Sequence, residues 1–70
     1  MKLTGVVAFE DLEGGVWVFR GDDGRTYELA GGDRHLKKEG ARAELEGEVQ
    51  AIPTAQLRGP VFRVTRYRFL

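Results

Sequence analysis

The side chains best able to do chemistry in this 70-residue chain fall into two charged runs. Glu44, Glu46 and Glu48 recur at every second position, a spacing that sets three carboxylates on one face of a strand. Such a cluster can ligate Ca2+ or Mg2+, or act as a general acid–base pair. Arg58, Arg63, Arg66 and Arg68 follow with no acid among them and could form a free basic patch. His35 is the sole histidine, and Ser, Asn and Cys do not occur. Without Ser or Cys, the Ser–His–Asp and Cys–His routes to acyl transfer are closed. One His and no Cys cannot complete a four-ligand zinc site. His35 has no acid partner that the sequence places in a cleft, so it reads as a surface or capping residue. Asp22-Asp23-Gly24 lacks the spaced ligands of a Ca2+ loop. Gly14-Gly15 and Gly31-Gly32 lack the context of a phosphate-binding loop. The chain is therefore expected to be non-catalytic, with no metal ion and no cofactor.

The elements that must position these residues are strands. Leu3–Phe9, Val16–Arg20, Arg25–Leu29, Ala41–Gln50 and Val61–Leu70 carry β-type patterns. Residues 41–50 alternate small or apolar with charged positions throughout, the mark of a half-buried strand. No apolar stripe of helical period appears. Between the third and fourth strands, Asp33 suits an N-cap, Lys37 and Lys38 suit the last turn, and Gly40 suits a left-handed terminus. That predicts one short helix, with Leu36 plugging an end of the barrel. The order β-β-β-α-β-β is that of an all-β, five-stranded, OB-fold-like Greek-key barrel, a single domain over residues 1–70; the competitor is an SH3-like small barrel, which usually lacks a helix between strands three and four.

The hairpin around Gly21–Gly24 decides what Trp17 can do. A two- or four-residue loop puts Val16, Val18, Tyr27 and Leu29 on one face and Trp17 and Phe19 on the other. A three-residue loop, with Asp22-Asp23 in a type I turn and Gly24 in a G1 bulge, places Trp17, Phe19, Tyr27 and Leu29 together. OB-folds bind single strands on the outer face of strands two and three, where aromatics stack on bases. If outward, Trp17 is a stacking platform; if inward, it is core. A chain this short needs its largest side chains for burial, which favours the three-residue loop. Val16, Val18, Arg20, Thr26 and Glu28 then form an ordinary exposed face.

Net charge is zero, with 11 basic and 11 acidic groups. Every acid lies at or before Glu48, so residues 1–48 carry −4 (seven basic, eleven acidic) and residues 49–70 carry +4 from four arginines. In OB topology strands four and five pair antiparallel, and Arg63, Arg66 and Arg68 can lie opposite the glutamates as a cross-strand ladder. The odd spacing from Arg63 to Arg66 then requires a bulge near Thr65-Arg66 to keep Phe62, Val64, Tyr67 and Phe69 inward.

The runs Gly15-Val16-Trp17-Val18-Phe19, Asp23-Gly24-Arg25-Thr26-Tyr27-Glu28-Leu29, Gly32-Asp33-Arg34-His35-Leu36 and Gly40–Val49 resemble a bacterial family of small OB-fold-like domains of unknown function. The resemblance covers most of the chain and implies a fold, with no known chemistry. The expectation is a non-catalytic binding or accessory module. The alternative is a single-stranded nucleic-acid-binding OB-fold using Trp17, Arg20, Arg25 and Arg58. The acids of the segment Glu10–Gly15 would repel phosphate and weigh against that alternative. The partner is single-stranded nucleic acid or another protein, and the chain a monomer or small homo-oligomer. The N-terminus lacks the apolar core of a signal peptide, and no run of apolar residues spans a membrane. A cytoplasmic protein is expected, and the scarcity of thermolabile side chains suits a thermophile and equally a GC-rich genome.

Overall fold

The computed structural model describes residues 1–11, 14–50 and 59–70. Five strands are present: β1 (Lys2–Glu10), β2 (Val16–Gly21), β3 (Thr26–Gly31), β4 (Arg42–Gln50) and β5 (Val61–Phe69). They join edge to edge in the closed ring β1-β2-β3-β5-β4. Every neighbouring pair is antiparallel except β3 and β5, which run parallel. These directions put the β1–β2 loop, the β3–β4 connection and the C-terminus at one end of the ring. The β2–β3 turn, the end of β4 and the start of β5 lie at the other.

The β2–β3 turn has the three-residue geometry. Phe19 pairs with Tyr27, and Arg20 with Thr26. Gly21 closes the turn by donating to the Arg25 carbonyl and accepting from Gly24. Gly24 has φ +85, a left-handed conformation open to glycine at little cost. Asp23 secures the turn from within. Its carboxylate accepts the Arg25 N–H at 2.9 Å and the Tyr27 hydroxyl at 2.9 Å, so the buried Tyr27 ring keeps a partner for its polar end. Phe19, Tyr27 and Phe62 are all but fully buried, together with Val7, Leu36, Ala43 and Leu45.

One expected element differs. The connection between β3 and β4 holds only a 3-10 turn, Arg34–Leu36, where a short helix was predicted. Asp33 caps it as expected, accepting the His35 N–H at 3.0 Å, and Leu36 fills the end of the core at 2% exposure. The backbone beyond Leu36 is claimed by β1: Gly40 donates to the Val7 carbonyl and Val7 donates to that of Ala41. A helix continued through Gly40 would forfeit those bonds, and one turn cannot repay the cost of nucleation.

A second expectation is corrected on the outer face of β2 and β3. Val18 is fully buried, and Glu28 is half-buried. Val18 belongs to a cross-strand row, Ala8–Val18–Glu28–Val61, set by the registers of four strands. All three apolar members are buried although none belongs to the core cluster. This is a covered row and not an ordinary exposed face, so Val18 offers no surface for a partner. Glu28 Oε2 is buried there with no hydrogen-bond partner among the described residues.

Candidate functional site

Alternation along a strand sends neighbouring side chains to opposite faces, so one extra residue reverses everything after it. β5 uses this once. Before the irregularity, Val49 faces Phe62 and Gly47 faces Val64; after it, Glu46 faces Arg66 and Leu45 faces Tyr67. Thr65 is the extra residue, and its hydroxyl donates to the Glu46 carbonyl at 3.0 Å. Opposite it, a Cβ added at Gly47 would overlap the Arg63 carbonyl oxygen, so this crossing requires glycine.

With the bulge in place the predicted ladder forms in part. Arg66 Nε donates to Glu46 at 2.9 Å, and Arg68 Nε donates to Glu44 at 3.0 Å. Lys2 adds a second cation 3.7 Å from Glu46. The Arg66 hydrogen bond, followed by the Arg66 and Lys2 charges, holds the Glu46 carboxyl below its ordinary range. Glu48 stands opposite Arg63 in register, but no ion pair joins them. Two of the three glutamates, Glu44 and Glu46, thus pair with arginines across the strands, and no group of three or more acids or histidines suited to a metal ion occurs among the described residues.

The second half of β5 also has an open edge. Leu70 donates to the Arg42 carbonyl at 3.0 Å, which makes the pairs Arg68–Glu44 and Arg66–Glu46 the hydrogen-bonded ones of this ladder. The alternate residues, Tyr67 and Phe69, therefore direct their N–H and C=O groups away from β4. On that side β3 pairs with β5 only as far as Gly31–Val64, and the chain then departs through Gly32 and Asp33. The backbone groups of Tyr67 and Phe69 have no partner among the described residues. An open groove of about 490 Å³ runs along this edge, lined by Gly32, Asp33, Thr65, Arg66 and Tyr67.

Side chains equip the edge. Phe69 is 39% exposed, with Tyr67 edge-on at 5.6 Å and the Lys38 ammonium 5.0 Å from its ring centre. Phe69 was expected inside; it keeps the inward alternation but lies at the strand's end, where the ring of strands no longer covers it. The Tyr67 hydroxyl donates to Asp33 Oδ1 at 2.5 Å. That bond lowers the Asp33 carboxyl below its ordinary range and raises the Tyr67 phenol above its own. The Arg66 and Arg68 side chains are 80% and 69% exposed. Each meets its glutamate through Nε, so the outer nitrogens of both guanidinium forks carry N–H donors with no partner among the described residues.

The residues singled out for nucleic acid are not brought together. Trp17 points inward near the end that holds the 3-10 turn, half-buried against the core and 5.1 Å from the Phe9 ring. Arg20 lies on the outer face near the opposite end, 3.4 Å from Glu10. Arg25 is exposed beside the β2–β3 turn. Arg58 lies outside the described residues, as do Leu12 and Glu13. His35 is exposed beside Asp33. Sequence reasoning missed the edge at Tyr67 and Phe69. The signal for it was present in the bulge spacing, but where β3 stops pairing is not written in the pattern of either strand.

No family model, curated protein or solved structure matches the chain. Among the described residues no helix is long and apolar enough to cross a membrane.

Proposed function

We propose that this chain is a non-catalytic binding module built on an OB-like Greek-key barrel, with the open edge of β5 as its contact surface. The strand order and the parallel β3–β5 contact support that assignment of fold. The observation that carries the function is the edge itself. Unpaired strand edges invite pairing with another chain, and proteins normally cover or blunt them. Here the edge is left beside a groove and an exposed aromatic ring.

The nucleic-acid alternative has less support. It needs Trp17 on an open outer face, whereas the ring packs toward the core and the Val18 row is covered.

Residue-resolved amide hydrogen exchange tests the proposal directly. The Arg66 and Arg68 amides, paired with β4, are expected to exchange slowly, and those of Tyr67 and Phe69 at rates near those of exposed loops. Equal protection at all four amides would mean that the edge is already occupied, and the proposal would fall.

A further inference from the structure

We infer that the edge of β5 takes an extended peptide segment in which acidic and apolar residues alternate, added as a further strand beside Thr65–Phe69. This rests on the binding-module proposal above and names the partner's chemistry.

The backbone sets the first requirement. Tyr67 and Phe69 each offer one N–H donor and one C=O acceptor on the side away from β4. A second peptide backbone matches that alternation of donors and acceptors. A phosphodiester chain offers acceptors only and would leave the carbonyls facing oxygen.

Side chains set the second. Residues of an added strand stand beside those of β5 and interact across the strands, face by face. On the outer face they meet Arg66 and Arg68, whose outer nitrogens have no partner among the described residues. A carboxylate there accepts charge-assisted hydrogen bonds from guanidinium groups that Glu46 and Glu44 already hold in place. On the other face they meet Tyr67 and the exposed Phe69 ring, which favour an apolar side chain. The partner therefore alternates acid and hydrophobe with the period of a strand.

A second copy of this chain fits poorly. Two β5 edges paired with each other would set arginines against arginines, and like charges directly opposite destabilise a sheet. The arginines act as a selective block: they discourage self-pairing and admit an acidic strand.

The probe is a capped hexapeptide of alternating Val and Glu, titrated into 15N-labelled protein. A Val–Lys hexapeptide and oligothymidylate serve as comparators. The Val–Glu peptide is expected to shift the amides of residues 65–69 and to slow exchange at Tyr67 and Phe69. The Val–Lys peptide should bind more weakly, and oligothymidylate should leave those two amides unprotected. Arg66→Gln and Arg68→Gln should each weaken the Val–Glu peptide about threefold to fivefold, the scale of exposed ion pairs. Phe69→Pro removes one edge N–H while keeping both arginines, and should abolish protection at Tyr67. Equal binding of the Glu and Lys peptides, or stronger shifts from oligothymidylate, would overturn the inference. So would absence of binding by a chain whose Tyr67 and Phe69 amides exchange fast, and that result would leave the open edge and the binding-module proposal standing.

Discussion

β5 is two strands in one, and its halves have opposite fates. Val61–Val64 is paired on both sides, by β3 and by β4, and its Val61, Phe62 and Val64 are buried. Among the described residues Arg66–Phe69 is paired on one side only, and Phe69 is two-fifths exposed. Both halves set arginine among large apolar residues, as Phe62-Arg63-Val64 in the first and Arg66-Tyr67-Arg68-Phe69 in the second. What separates them is Thr65, which restores the alternation, and the end of β3, which withdraws a neighbour. A strand is core or surface according to what lies beside it, and composition alone does not distinguish the two.

The most severe way to break this comparison is to delete Thr65. Alternation would then carry Arg66 and Arg68 into the core and turn Tyr67 and Phe69 outward. Burying two unpaired cations is beyond what a small domain can tolerate. The expected outcome is loss of the folded state, seen as collapse of the near-ultraviolet tyrosine and tryptophan signals. A folded deletion variant with an unchanged spectrum would mean that the bulge does not set the register.

Next in size is a matched pair of truncations. Phe62→Ala empties a fully buried ring site and should cost about 3–5 kcal/mol. Phe69→Ala removes a half-open ring and one edge-to-face contact and should cost about 1 kcal/mol. Urea unfolding of the two variants measures the difference. Equal losses would place Phe69 in the core and remove the case for a contact surface.

Much of this was legible beforehand. Strand positions follow from period-two alternation and the bulge from the odd spacing of Arg63 and Arg66, while the three-residue turn follows from the need of a small chain to bury Trp17, Phe19, Tyr27 and Leu29 together. The failures are of another kind. The helix gave way to a 3-10 turn because β1 claims the backbone of Gly40 and Ala41, a contact some thirty residues distant in sequence. Val18 looked exposed because strand alternation says which face a residue is on, and not whether that face is covered. The nucleic-acid residues Trp17, Arg20 and Arg25 were grouped by a fold analogy, and their separation follows from strand direction. The open edge escaped notice because it depends on where two strands stop pairing.

A smaller effect sharpens the ladder half of the comparison. Arg66→Glu sets like charges opposite Glu46, and adding Glu46→Arg restores an attractive pair with its sense reversed. The single change should destabilise and the second should recover part of the loss, because residues in direct contact are not additive. Strictly additive losses would show that the pair is coincidental. Raising the salt concentration should shrink the coupling, as both side chains face solvent.

The smallest effect is on pH dependence. Hydrogen bonds from Arg66, Arg42 and Tyr67 hold Glu46, Asp22 and Asp33, respectively, below their ordinary values of 4.5, 3.8 and 3.8. When a carboxyl is more acidic folded than unfolded, the unfolded chain binds more protons, so stability rises with pH. The contribution is complete above the ordinary values and is lost as pH falls through the lower folded ones. Thermal unfolding should therefore be flat from neutrality down to about pH 5 and decline below it. Tyr67 works in the opposite sense. Its phenol is raised above 10.0 by Asp33, so its contribution is intact below pH 10 and fades as the pH climbs beyond it. Tyr67→Phe should remove that alkaline decline in part, since Tyr27 is raised as well, mainly by burial. The same variant should steepen no part of the acid limb and should weaken the share due to Asp33, which loses its phenol donor. An acid limb unchanged by Tyr67→Phe would mean that the Asp33–Tyr67 bond, which joins the β3–β4 connection to the open half of β5, does not persist in solution.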